Sequence, residues 1–182
     1  MGNGAWQQRQ LDVYGELLSS VYRLSDSVPD LGPATRRFLM ELADAAAVVW
    51  KEPDQGIWEI RGEPRHFLYS KLLCWVALDR AVALADRIDA RPRVAGWKRA
   101  REEIRHAILS SGWSDRANAF TQSFGSDDLD AGSLMIPLVG FLPASDPRVL
   151  ATAWPRWVSS SPEMTWSSQP HPHQFRRRLS PG

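Results

Sequence analysis

Among its 182 residues the chain has one cysteine, no long apolar run and a net charge of only +1. Each scarcity excludes something. A single thiol cannot close an internal disulfide, and Cys74, set between Leu73 and Trp75, fits a small core residue better than a nucleophile. No span reaches the ~18 apolar residues of a membrane helix, so no membrane partner is expected. The first ten residues lack the basic-then-apolar order of a secretory leader, and the expected compartment is the cytoplasm. With 22 basic against 21 acidic residues, bulk charge gives no footprint for nucleic acid. Period-two alternation of useful length is also missing, so the expected class is all-α.

What is present is helical periodicity. Residues 7–22 place Leu11, Tyr14, Leu17, Leu18 and Val21 on one face. A second helix is expected from Pro33, a favoured first helical residue, to about Trp50, with Phe38, Leu39, Leu42, Ala45, Ala46 and Val49 as its stripe. The third, residues 65–88, is apolar nearly all round, which predicts burial nearly all round. The fourth, residues 95–110, has Trp97, Ile104 and Ile108 on one face and charges elsewhere, as a surface helix does. A fifth, residues 128–142, is again apolar, with Pro137 expected to kink or break it.

A buried helix, a surface helix and a buried helix in succession predict an inner and an outer shell. In such a winding, all loops running from outer to inner helices emerge at one end. Those loops are residues 51–64 and 112–127, joined by residues 1–6 if the first helix is inner. They carry Trp6, Trp58, Trp113, Phe120 and Phe124 beside Asn3, Glu59, Arg61, Gln122, Asp127 and Asp128. Aromatic faces with amides and acids suit a sugar, whose C–H faces pack on rings and whose hydroxyls need paired donors and acceptors. The loops at the other end hold little but turn residues.

Glu59, in Gly56-Ile57-Trp58-Glu59-Ile60-Arg61-Gly62, is the foremost candidate for chemistry. A general acid for glycoside cleavage needs a carboxyl kept protonated near neutral pH, and shielding by Trp58 and Ile60 raises a carboxyl pKa. The bland alternative is a solvated loop glutamate. Lys71 and His66 lie near the start of the third helix, within reach of the same end. Lys71 is a candidate substrate contact, and His66 fits a satisfied, partly buried histidine better than a catalyst. Asp127, Asp128 and Asp130 admit a hard cation, but an acidic N-cap on the fifth helix accounts for them. No metal or cofactor is expected.

Three stretches carry a family resemblance. The first runs from Gly2-Asn3-Gly4 to Val13-Tyr14-Gly15-Glu16. The second contains Glu59 and continues to Asp79-Arg80-Ala81. The third runs from Ala119-Phe120-Thr121-Gln122 through Gly125-Ser126-Asp127-Asp128-Leu129-Asp130 to Gly140-Phe141-Leu142-Pro143. In this order, over about residues 2–150, they resemble glycoside hydrolase family 15, in the form shared by prokaryotic glucoamylases and trehalases. The resemblance implies an (α/α)6 toroid and hydrolysis of α-linked glucosides, small or oligosaccharide, with inversion. It makes Glu59 the general acid and Trp58 a wall of the sugar subsite, with Arg61 as a hydroxyl contact; Lys71 and Gln122, expected at the same end, are further candidate substrate contacts.

Inversion needs a second carboxylate to activate water, about 6.5–9.5 Å from the acid. The family's base lies far downstream, and no segment here matches it, Glu163 included. Residues 1–150 are therefore expected to form part of a toroid, with the acid and without the base, inactive alone. The alternative is a non-catalytic helical protein binding a sugar or a partner. Residues 151–182, with Trp154-Pro155-Arg156-Trp157, a serine-proline run, His171, His173 and Arg176-Arg177-Arg178, hold no helical period and are expected to be a disordered tail. Their composition favours a lost reading frame over a natural basic tail.

Overall fold

A computed structural model describes residues 9–28, 30–57 and 62–154. Four helices dominate: α1 (Val13–Leu24), α2 (Pro33–Val49), α3 (Leu68–Leu84) and α4 (Val94–Ser111). A small antiparallel hairpin follows, β1 (Trp113–Ser114) paired with β2 (Ala119–Phe120), then the short helices α5 (Met135–Leu138) and α6 (Pro147–Ala153). The class is all-α. No helix among the described residues is long and apolar enough to cross a membrane.

α3 packs on each of the other three long helices, most extensively on α1 and α4, and α2 also touches α4 and α1. α3 is central because its sequence leaves it no polar face. Eight successive residues, Lys71 through Leu78, are buried. Each fully buried aliphatic side chain contributes about 1.5–3 kcal/mol, so this helix anchors the core. α4 shows the opposite pattern, burying Trp97, Ala100, Ile104 and Ile108 and leaving its charges outside. Polar contacts tie the helices where the stripes end. Trp97 Nε1 donates to Asp44 of α2 at 2.8 Å, and Arg101 of α4 donates to Asp79 of α3 at 2.9 Å.

Three expectations need correction. α1 starts at Val13, not residue 7: the backbone of residues 9–11 is committed to partners in the loop before α3, and the Asp12 carbonyl accepts the first helical bonds, from Gly15 and Glu16. The long fifth helix does not form. Its place is taken by a 3-10 turn (Ala131–Leu134), the four-residue α5, and a reversal in which Phe141 N–H returns to the Ile136 carbonyl at 3.1 Å. Pro137 lacks an N–H to continue a helix, and Gly140 at φ +81° supplies the left-handed turn that ends it. The third correction is the unexpected α6, started by Asp146, whose side chain accepts from the Arg148 N–H. Phe38 and Leu17, placed on apolar stripes by periodicity, are exposed.

The two ends of the bundle differ as the shell argument requires. At one end, Arg36 pairs with Asp30 at 2.5 Å and Asp89 at 2.6 Å, joining two short turn-rich connections. The other end gathers longer segments.

Candidate functional site

Three segments converge at that second end. Residues 9–11 enter α1, residues 50–57 and 62–67 precede α3, and residues 112–130 follow α4. Backbone bonds stitch them together. Gln55 N–H donates to the Arg9 carbonyl at 3.2 Å, and Arg9 N–H donates to the Gln55 side chain at 2.9 Å. On the other side Leu68 N–H reaches the Gln122 carbonyl at 2.9 Å, and Phe124 N–H reaches the His66 carbonyl at 3.0 Å. The described parts of the loop before α3, residues 51–57 and 62–67, and the loop after α4 therefore share one end of the molecule, next to the start of α1.

The segment before α3 is a loop with a closed neck. Asp54 and Arg65 exchange two backbone hydrogen bonds, both 2.9 Å, as an isolated antiparallel bridge. Beside it, Gly56 takes φ +67° and lies so close to the Phe67 ring that a Cβ would sit 2.9 Å from it. Only glycine combines that backbone with that approach. Trp58, Glu59 and Arg61, the foremost candidates from the sequence, belong to the stretch 58–61 between the two sides of this neck and lie outside the described residues.

Below the neck is a buried polar cluster that the sequence did not announce. Asp54 has no exposed surface, and its Oδ2 accepts from Ser70 Oγ at 2.6 Å and from Leu11 N–H at 3.2 Å. Lys71, also without exposed surface, donates from Nζ to the Glu52 carbonyl. Burial lowers the Lys71 pKa, while the Asp54 carboxylate pulls the other way by favouring the ammonium. Asp12 lies alongside. Its pKa is raised by burial first and then by the charges of Asp54 and Glu16. Tyr69 Oη donates to Glu16 at 2.8 Å, and burial followed by that carboxylate pushes its pKa up. Cys74 completes the cluster as a core thiol, its Sγ 3.6 Å from the Leu11 carbonyl and its pKa pushed up by burial to about 12. A thiol so placed is inert.

The remaining candidates fall into place around this cluster. Gln122 is half-buried, and its Nε2 donates to Asp130 Oδ2 at 3.3 Å. Asp130 also caps the 3-10 turn through the Gly132 N–H. Asp127 is held by Ser114 and Arg116, which lower its pKa, and Asp128 by Ser126. These acids thus serve turns and caps. Among the described residues no group of three or more His, Cys, Asp or Glu is placed to hold a metal ion. Phe120 is no sugar platform: it is fully buried, edge-on to Trp113 at 5.3 Å. His66 is an exposed rim residue rather than a half-buried one. Its ring stacks on Phe124 at 6.1 Å, and partial desolvation, then the Lys71 charge, lower its pKa. Residues 155–182, with His171 and His173, lie outside the described residues.

Comparison with known proteins decides what this arrangement belongs to. The sequence model described as "Glycosyl hydrolases family 15" matches residues 1–155. The chain belongs to glycosyl hydrolase family 15. Within the family it is 45% identical over 152 residues to a trehalase of Mycolicibacterium smegmatis, covering 84% of this chain and 23% of that protein. It is 44% identical over 156 residues to a trehalase of Mycobacterium tuberculosis, covering 84% of this chain and 22% of that protein. The chain thus spans about a quarter of the length of these curated relatives. Among solved structures it is similar to a glycosidase carrying an E335A substitution in complex with glucose, with a TM-score of 0.70 and 21% identity over 83% of this chain and 40% of that one. The wild-type glycosidase matches with a TM-score of 0.68. At that identity the likeness is one of fold.

Proposed function

We propose that this chain forms the proton-donor side of an inverting α-glucosidase site of the trehalase kind, with Glu59 as general acid. The observation that carries this reading is the closed-neck loop. It carries the Trp58-Glu59 pair in sequence and is tied into the end where three segments meet, in a chain 45% identical to a trehalase. Trp58 offers a ring face to the sugar, and Arg61 and Gln122 offer donors to its hydroxyls. Lys71 serves the loop from below, through the Glu52 carbonyl. The packing of the buried α3 on α1, α2 and α4, with the fold similarity to a solved glycosidase, supports a share of an (α/α)6 toroid. The activating base comes from outside residues 1–150, so the 182-residue chain alone hydrolyses neither trehalose nor maltose.

Two measurements test this. The first is an assay of the chain alone on trehalose and maltose beside Glu59→Gln. General acid–base participation is worth about 10²–10⁴-fold per group, so no turnover above background is expected, and Glu59-dependent hydrolysis would sink the claim of a missing base. The second places residues 1–150 in the matching segment of the M. smegmatis trehalase. The chimera should hydrolyse trehalose with inversion and lose at least about 10²-fold in kcat on Glu59→Gln. A folded but inactive chimera would point instead to a non-catalytic binding module.

A further inference from the structure

Gln122 stands at the end where the three segments meet, and both of its backbone groups are fixed. Its N–H donates to the Asp128 carbonyl at 2.7 Å, and its carbonyl accepts from Leu68 N–H, at the start of α3, at 2.9 Å. The half-buried side chain therefore hangs from a rigid frame. What remains to be set is which way the amide faces. An amide turned over about its last bond keeps its shape but exchanges an acceptor oxygen for a donor nitrogen. To a ligand hydroxyl the two orientations are opposite chemistry.

Asp130 sets that choice. Its Oδ2 lies 3.3 Å from Gln122 Nε2, and its Oδ1 accepts from the Gly132 N–H at 2.6 Å. Its backbone carbonyl accepts from Ser133 Oγ at 2.7 Å, so the acid is locked into its turn. A carboxylate accepts hydrogen bonds and cannot donate them, so the Gln122 nitrogen must face it. Gln122 Oε1 and the second N–H are then turned away from Asp130. Asp130 also lines the depression of about 240 Å³ with Leu129, Leu134 and Thr152, so it stands at a concave part of the surface. The turn does not require an acid, because asparagine caps about as well as aspartate. An asparagine that kept its oxygen on the Gly132 N–H would present its own NH2 to Gln122 and turn the glutamine over. The two residues are equivalent for the cap and opposite for the amide.

We propose that Asp130 is a positioning residue for sugar binding: it fixes the Gln122 amide so that Oε1 accepts from, and the remaining N–H donates to, hydroxyls of a glucoside. This rests on the reading of this end of the molecule as a glucoside site with Gln122 as a contact, and it deepens that reading. Asp130 acts through Gln122 and not by touching the sugar.

The test titrates the 182-residue chain with trehalose and follows the backbone amides and the Gln122 side-chain NH2 by NMR. In the unsubstituted chain, trehalose should shift the Gln122 NH2 signals. Asp130→Asn should leave the exchange rates of the Gly132 and Ser133 amides unchanged, since the cap survives. It should weaken trehalose binding at least about tenfold, as expected when an acceptor facing a hydroxyl is exchanged for a donor. In a Gln122→Ala background the same substitution should cost nothing further, because its effect on the sugar runs through the amide. Undiminished affinity in Asp130→Asn, or losses that add in the double variant, overturns the positioning role. If Asp130→Asn accelerates the Gly132 and Ser133 amides, affinity is compared instead in Gln122→Glu, which leaves the cap intact and sets two acceptors against each other; unchanged affinity there overturns the proposal. Trehalose that shifts the Asp54, Arg65 and Phe124 amides but not the Gln122 NH2 overturns it too, and leaves the glucoside site standing. Trehalose that shifts no signal at this end is a different result: it sinks the glucoside-site reading and the role of Asp130 with it.

Discussion

At the scale of single residues, the polar cluster under the neck is held at an electrostatic cost, and Asp12 shows its sign. Its folded-state pKa is raised above the ordinary aspartate value, by burial first and then by Asp54 and Glu16. The folded state therefore disfavours the Asp12 carboxylate relative to the unfolded chain. This group subtracts stability above its folded pKa, and the loss is relieved as pH falls through that pKa toward 3.8. Its Oδ1 is buried without a partner, which adds to the cost. Asp12→Asn keeps the shape and removes the charge. Melting curves should show the variant more stable than the parent at pH 7, with the difference fading as acid protonates the parent's own carboxyl. A loss of stability at pH 7 would mean that the Asp12 charge is compensated by something stronger than its neighbours Asp54 and Glu16.

At the scale of elements, α1 and α3 touch so closely that one position decides the contact. A Cβ at Gly15 would lie 2.3 Å from the Leu73 backbone oxygen, which cannot rotate away. Overpacking of this kind costs about 1–3 kcal/mol, more than the roughly 1 kcal/mol an alanine gains over glycine inside a helix. Gly15→Ala should therefore lower the urea midpoint, whereas Gly96→Ala in α4, with nothing within 4 Å, should leave it unchanged or raise it. Equal effects at the two sites would refute the close approach. The same contrast shows what the sequence makes legible. The all-round apolar character of α3 and the one-sided stripe of α4 foretold their burial, because burial depends on local pattern. The shared end of the two long loops followed from the order of buried and surface helices. Asp54 was not legible as an anchor: its partners, Ser70 and Leu11, are 16 and 43 residues away and meet it only in the folded chain. Read locally, it is one more acid in a polar loop. The fifth helix was misread for the opposite reason. Its apolar run satisfied the helical period, but Gly140 and the Phe141-to-Ile136 turn folded that run back on itself.

At the scale of the whole molecule, apolar side chains remain open on two flanks. Val13, Leu17 and Leu24 lie on α1, and Leu129, Leu134, Leu138, Leu150 and Trp154 lie on the segment after the hairpin. Leu129 and Leu134 of the second group line a depression of about 240 Å³, with Asp130, Thr152 and Ala153. Contiguous exposed apolar surface promotes association or binds apolar dyes. The net charge of +1 offers little repulsion between copies. The purified chain should therefore enhance the fluorescence of an apolar dye and show an apparent mass in sedimentation that rises with protein concentration. Leu138, 71% exposed, is the most accessible of these side chains after the hairpin, so Leu138→Glu should weaken association without changing helicity. Val48, 69% exposed on α2, is the control, and Val48→Glu should leave association as it was. A monodisperse, dye-silent chain would show that these two flanks are covered by the chain itself, and the surface assigned to α1 and to residues 129–154 would have to be redrawn.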